Sequence, residues 1–487
     1  MRPPRSDVLW FGAPADDEVA RETRQRDLRL VPGEDAGECA AFFARAAVFA
    51  AAPGREDELA EAIAANGPRF LDLGLDLQGT AEDDASLERL LDHLRDRGFP
   101  LDAITMRSAP EAYRLAEDAA RHQPGDAPNG LAVAMPMLRK GEPPSPQDIL
   151  LLSRAFANCS ELSLLSLAGG LSDARVFAVY ASLLGSYPGV RSQPLFAKID
   201  RIDKIVREFE NYRNFATPYI PFGLRPNVRE IVKGNGRAVL VGDFVDKSEP
   251  LGELVRREVA AGAIDALFNE TLAGWTDQAY ARDPEVGSVA RALERSFVCR
   301  PTDFKSDYAT MLERSAPPMN VWSSLTAVTG SFRTGPAHGD LHAENVRVRS
   351  GRAILIDLAS VCPAAPITTD VASLEIALAF EPHPETKPSE FADPAWRAEV
   401  ERLYRTEAFV HAPGPSVTDE GLSWMTGAVR QLRRIGLATQ SAPGEYRTVV
   451  ASLLLRRCQW MGLTACDRYR RAVGYLIAAS LAEAKGI

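Results

Sequence analysis

The segment His338-Gly339-Asp340-Leu341-His342-Ala343-Glu344-Asn345 is followed, after a short polar stretch, by Ala353-Ile354-Leu355-Ile356-Asp357. An Asp, an Asn five positions on and a second Asp closing an apolar run make an oxygen-rich set. Moving a phosphoryl group from ATP needs such a set. One carboxylate orients the attacking hydroxyl, while an amide oxygen and a second carboxylate hold magnesium. Asp340 is therefore the candidate catalytic residue, and Asn345 and Asp357 are the candidate metal ligands. A zinc site built on His338 and His342 would need a third ligand at suitable spacing, which the neighbourhood lacks. His338 reads instead as a brace for the loop.

The HGDLHxxN form, with Asp357 ending the next apolar strand, resembles the catalytic loop of kinase-like phosphotransferases that act on small molecules. These are the aminoglycoside phosphotransferase and choline kinase type. Leu358-Ala359 stands where protein kinases carry Phe-Gly, and no Ala-Pro-Glu triplet follows. Only Leu358 to Thr369 separate Asp357 from Asp370, which resembles the Asp that opens a helix behind the metal loop. The resemblance implies a small acceptor, or one delivered by another domain, with Asp370 read as a helix cap.

A catalytic half of this kind implies a preceding β-rich lobe that holds ATP. Two apolar runs, Glu161 to Leu167 and Ala174 to Ala181, flank Ala168-Gly169-Gly170-Leu171-Ser172-Asp173. Glycines there let backbone N–H groups approach phosphate oxygens, although Gly-Gly is equally a hairpin turn. Gly169, Gly170, Leu171 and Ser172 are the candidate phosphate loop. Lys198 lies in Pro194-Leu195-Phe196-Ala197-Lys198-Ile199-Asp200, where an ammonium among apolar residues needs a partner. By the resemblance, Lys198 contacts the ATP phosphates and a Glu on the next helix positions it. Glu208 is preferred for that role, and Glu210 is the alternative. Arg237 to Val245 is expected to run into the hinge, where the backbone of Asp243, Phe244 and Val245 would meet the adenine edge. The resemblance thus runs from Gln147 onward, as an α+β bilobal kinase-like fold. Its smaller lobe spans 148–245 and its helical lobe 246–487, where apolar residues recur at helical spacing, as in Val449-Val450-Leu453-Leu454. Trp460 and Tyr469 in that region could face substrate, but aromatic residues in such helices are more often core, and that is the reading preferred.

Before a proline-rich connector at 138–147, the chain alternates apolar runs with polar helical stretches. Val8 to Phe11, Leu28 to Val31, Ala47 to Ala50, Phe70 to Leu73 and Ala103 to Met106 are expected strands. Glu56 to Ala65 and Ser86 to Arg97 are expected helices. Strands alternating with helices favour a parallel α/β sheet. Residues 1–137 resemble the receiver domains of two-component systems, with their flavodoxin-like order. A receiver carries an Asp phosphoacceptor at the end of its third strand, but here Ala51-Ala52-Pro53-Gly54 follows. The fifth strand ends in Met106-Arg107-Ser108 where a receiver has Lys. The domain is expected to be unable to accept phosphate, and Asp16 and Asp17 are read as charges at a helix N-terminus. Ser145-Pro146 reads as an N-cap with Pro at the first helical position.

Composition bounds the rest. With 46% hydrophobic and 25% charged residues, the chain has the balance of an ordinary soluble protein of several domains. The net charge of −10 argues against nucleic acid as the main partner. No apolar run approaches a membrane span, and no signal-type segment follows Met1, so a cytoplasmic location is expected. The cysteines at 39, 159, 299, 362, 458 and 466 form no CxxC pair and read as reduced thiols. The expectation is a magnesium- and ATP-dependent phosphotransferase acting on a hydroxyl, with a protein partner possible at the receiver-like domain. Such fusions look like bacterial signalling or conflict proteins, including kinase-like "ternary complex associated" domains. AMP transfer by the same residues, or nucleotide binding without turnover in a signalling scaffold, stay open.

Overall fold

The computed structural model describes residues 5–33, 38–128, 132–137, 143–167, 174–185, 192–296, 298–308, 317–381, 394–411, 413–414, 420–462 and 464–483. The chain divides into two units, Met1–Phe209 with Val228–Phe244, and Glu210–Asn227 with Val245–Ile487.

The first unit holds two sheets. Five parallel strands, β1 (Asp7–Gly12), β2 (Arg29–Pro32), β3 (Ala44–Ala50), β4 (Asp76–Ala81) and β5 (Thr105–Ser108), lie in the order β2-β1-β3-β4-β5. This is the doubly wound, flavodoxin-like order. Helices α1 (Asp17–Gln25), α2 (Glu38–Phe43), α3 (Glu56–Asp72), α4 (Asp84–Asp96) and α5 (Ala112–Arg121) connect and follow the strands. Leu9, Phe49, Ile63, Leu77 and Leu90 form their shared core. Asp16 is the N-cap of α1, its carboxylate accepting from the Val19 N–H at 2.7 Å.

One strand differs from expectation. Phe70 to Leu73 is not a strand; Phe70 to Asp72 form the last turn of α3 and Leu73 is its C-cap. Phe70 and Leu73 stand three apart, so both face the core from one side of a helix. Gly74, at φ +77°, then turns the chain into β4. That strand, Asp-Leu-Gln-Gly-Thr-Ala, carries too little apolar alternation to be read from sequence.

The second sheet has the order β10-β11-β9-β8-β7-β6. Its strands are β6 (Ala132–Met137), β7 (Cys159–Ser166), β8 (Arg175–Leu183), β9 (Leu195–Arg201), β10 (Val228–Lys233) and β11 (Arg237–Asp243). All pairs are antiparallel except β6 with β7. Helix α6 (Pro146–Ala155) opens with a capping box in which Ser145 and Asp148 satisfy each other's backbone N–H groups. Its inner face meets Leu162, Val179, Ile199 and Val239. From the same helix Arg154 donates to the carbonyls of Asp72, Lys233 and Pro124, so one guanidinium ties both sheets together. Asp72 Oδ1 accepts from Gln147 Nε2 and the Asn235 N–H, each at 2.7 Å. The two sheets are thereby parts of one unit. Helix α7 (Ile202–Asn211) follows β9 directly.

The second unit is mainly helical. Helix Thr369–Phe380 is buried on nearly every face, its Asp370 and Glu375 included, and packs against helices Ser423–Thr439 and Glu445–Arg456. Strands Val346–Arg349 and Arg352–Leu355 form a hairpin across Ser350-Gly351, both at positive φ. A two-residue turn of that geometry matches the twist of the paired strands. The five described free cysteines, Cys159, Cys299, Cys362, Cys458 and Cys466, are buried. No described helix is long and apolar enough to cross a membrane. The proline-rich stretch at 382–393 lies outside the described residues.

Candidate active site

In the second unit the Ser350-Gly351 hairpin brings together residues twelve positions apart in the chain. Its two strands run from Asn345 outward and back to Asp357, and the Ile356 N–H donates to the Asn345 carbonyl at 3.0 Å. Asn345 Nδ2 donates to the Asp340 carbonyl at 3.0 Å. A carbonyl accepts only from the NH2 end of an amide, so Asn345 Oδ1 stays available as an oxygen ligand. Asp357 takes up the left-handed conformation at φ 58°, which Asp tolerates better than most side chains. Asp340, Asn345 and Asp357 thus converge at one end of the hairpin.

The loop carrying Asp340 is held from behind. Gly339 has φ +76°, and a Cβ there would lie 2.3 Å from the Ser360 carbonyl oxygen, so only glycine fits. The buried His338 ring contacts the Ile356 carbonyl through Nε2 at 3.0 Å. Asp370 accepts from the N–H groups of His338, at 2.8 Å, and Gly339, at 3.4 Å. It caps the Asp340 loop and not its own helix, whose N-cap position is Thr368. Burial pushes the Asp370 carboxyl up, while His338 and the two amides pull it down. Burial likewise pushes the neighbouring Cys362 thiol up to about 11. Asn211 Nδ2 donates to the Leu358 carbonyl at 2.7 Å, fixing the turn after Asp357.

Asp340 itself is half exposed, and its carboxylate faces a guanidinium. Arg456 Nη2, from the end of helix Glu445–Arg456, lies 3.6 Å from Asp340 Oδ1. Sequence reading had no signal for Arg456 or Asn211, because each meets the loop only through long-range packing.

In the first unit Lys198 Nζ on β9 lies 2.8 Å from Glu208 Oε2 on α7, with both side chains largely buried. Ala197 and Ile199 turn toward the core, so Lys198 between them projects from the other face of β9, and Glu208 falls with Ile205 on the buried face of an amphipathic helix. Among the described residues Lys198 pairs with Glu208, the preferred of the two candidates. The Asp243 carboxylate pairs with Arg229 at 2.7 Å. The Phe244 N–H donates to the Pro194 carbonyl, and the Val245 carbonyl accepts from Ser248 Oγ. Gly169, Gly170, Leu171 and Ser172 lie outside the described residues. Trp460, expected in the core, is half exposed.

Among the described residues no three His, Cys, Asp or Glu side chains cluster as a metal cage. Magnesium does not need one: it is held by one or two protein oxygens, with waters and substrate phosphates completing its shell. Asn345 and Asp357 fit that pattern.

No family model matches the sequence, and no curated protein matches it. Solved structures do. One is a thermostable mutant of aminoglycoside phosphotransferase APH(4)-Ia in ternary complex with ADP and hygromycin B. It is 13% identical, with TM-score 0.42, over 68% of this chain and 98% of that chain. A second is aminoglycoside phosphotransferase APH(4)-Ia, 14% identical with TM-score 0.40, over 65% of this chain and 93% of that chain. A third is glucosamine kinase in complex with glucosamine, ADP and inorganic phosphate. It is 14% identical with TM-score 0.33, over 65% of this chain and 93% of that chain.

Proposed function

We propose that the protein is a magnesium- and ATP-dependent phosphotransferase acting on a hydroxyl of a small molecule. The observation that carries the reading is the hairpin end where Asn345 bonds both the Asp340 carbonyl and the Ile356 N–H. It supports a carboxylate for the acceptor and two oxygen ligands for the cation from one rigid turn. Asp340 accepts the proton of the attacking hydroxyl and orients its oxygen. Asn345 Oδ1 and the Asp357 carboxylate hold magnesium, which when bound neutralises charge on the transferring phosphoryl group. Lys198, held by Glu208, binds the nucleotide phosphates, with the 169–172 loop and the backbone of 243–245 completing nucleotide binding. Asp370, through the amides of His338 and Gly339, keeps the Asp340 loop in shape.

In this reading residues 1–137 form a receiver-like domain without a phosphoacceptor, which regulates the transferase or docks a partner. The absence of Asp at the end of β3 and the flavodoxin-like strand order support that assignment. The test is ATP consumption and phosphorylated product formation by the wild type, Asp340→Asn and Lys198→Ala. Activity unchanged in both variants would overturn the assignment.

A further inference from the structure

Arg456 is placed where the acceptor must arrive, and its bonding is incomplete. At 3.6 Å its contact with Asp340 is an ion pair too long to be a hydrogen bond. Its Nε is shut off from solvent and makes no hydrogen bond among the described residues. Asp340 is the only carboxylate within ion-pair distance of it among those residues. The adjacent arginines differ. Arg457 pairs with Glu381 at 2.9 Å and Asp467 at 3.8 Å, and Arg471 pairs with Asp467 at 2.9 Å. A guanidinium offers five N–H donors in a planar fork, and sheltered donors without acceptors are unfavourable.

The wall around Arg456 is built. The guanidinium lies over the half-exposed Trp460 ring, 5.6 Å from its centre. Tyr308 OH donates to the Trp460 carbonyl at 2.7 Å and accepts from the Gly462 N–H at 2.9 Å. The Lys305 N–H holds the Cys458 carbonyl at 2.8 Å. A fixed cation beside the catalytic carboxylate repels a positively charged acceptor and offers its spare donors to an oxyanion.

We propose that Arg456 determines acceptor specificity by binding a carboxylate or phosphate of the hydroxyl compound. The acceptor is then an oxyanion-bearing alcohol, such as a hydroxy acid or a sugar phosphate, and not a polycationic aminocyclitol. This rests on the phosphotransferase reading above.

The test gives the full-length protein magnesium and ATP with glucose, glucose 6-phosphate, gluconate or kanamycin, and follows ADP and product, with hydrolysis by water as the baseline. The wild type is expected to use an anionic compound better than glucose and to leave kanamycin untouched. Preference for glucose 6-phosphate marks a phosphate group, and preference for gluconate a carboxylate. Arg456→Gln, folded by thermal melting, should lose roughly 10- to 150-fold in kcat/KM on the anionic acceptor, mainly through KM. Arg456→Lys should recover part of the loss. Equal losses on every acceptor and on hydrolysis would overturn the proposal, because Arg456 would then act on the transferring phosphoryl group. Turnover of kanamycin in preference would also overturn it. ATP hydrolysis that depends on Asp340 but is neither accelerated nor inhibited by any anionic compound overturns the acceptor proposal alone. No ATP consumption of any kind overturns the phosphotransferase reading and this proposal with it.

Discussion

Two arginine–carboxylate pairs in the helical unit have opposite characters. Arg433 and Glu375 are fully buried, joined through two contacts at 2.7 and 3.1 Å. Arg433 also donates to the carbonyls of Leu403 and Ala408, and its guanidinium lies 3.7 Å from the Phe409 ring centre. Tyr446 OH donates at 2.8 Å to Glu375 Oε2, the oxygen that also accepts from Arg433 Nε. Arg456 and Asp340 are partly exposed, farther apart and left with donors to spare. The saturated pair holds helices together, and nothing is left over for a ligand. The open pair contributes little to stability, as exposed ion pairs do, and keeps its bonding capacity for something else. Helix Thr369–Phe380 links the two. Glu375 anchors it in the core, and Asp370, nearer its start, holds the Asp340 loop.

Four changes test that contrast, in order of expected size. Asp340→Asn should lower phosphoryl transfer by roughly 10²- to 10⁴-fold and leave the melting temperature unmoved. A large drop in melting temperature would place Asp340 with the structural charges. Arg433→Met should do the reverse in kind, destabilising the fold by about 3–5 kcal/mol in urea unfolding, because Glu375 is left buried and uncompensated. Asp370→Ala falls between the two. Freeing the His338 and Gly339 amides should destabilise by about 1–3 kcal/mol and also slow transfer, while substrate KM changes less than kcat. If transfer is unaffected, the Asp340 loop does not depend on that cap. The smallest effect is expected in the first unit: Asp16→Ala should lose about 1 kcal/mol, the worth of an N-cap, with transfer unchanged.

The same division governs what could be read from the sequence. The Asp340–Asn345–Asp357 set was legible because its spacing is local and its hairpin turn, Ser350-Gly351, is written in residue types. Lys198 and Glu208 were legible as residues, a lysine in an apolar strand followed by an amphipathic helix. Their 2.8 Å pairing needed the fold. The fourth strand was misplaced because Phe70 and Leu73 satisfy a strand run and a helical face equally well. Asp370 was legible as an acid at a helix start, yet its bonds run to a loop 31 and 32 residues away. Arg433 and Arg456 look alike in sequence, each a basic residue in a helix of mixed character.

By itself the sequence determined which candidates were on offer: the oxygens proposed to meet a hydroxyl and a cation, and the lysine proposed to meet phosphate. These follow from residue type and short spacing, where the backbone geometry of a turn or strand leaves few choices. Only the tertiary structure decided which charges are spent and which are open. Burial and hydrogen-bond saturation depend on groups brought from distant parts of the chain, as Tyr446 and Leu403 are to Arg433, and as Asp340 is to Arg456.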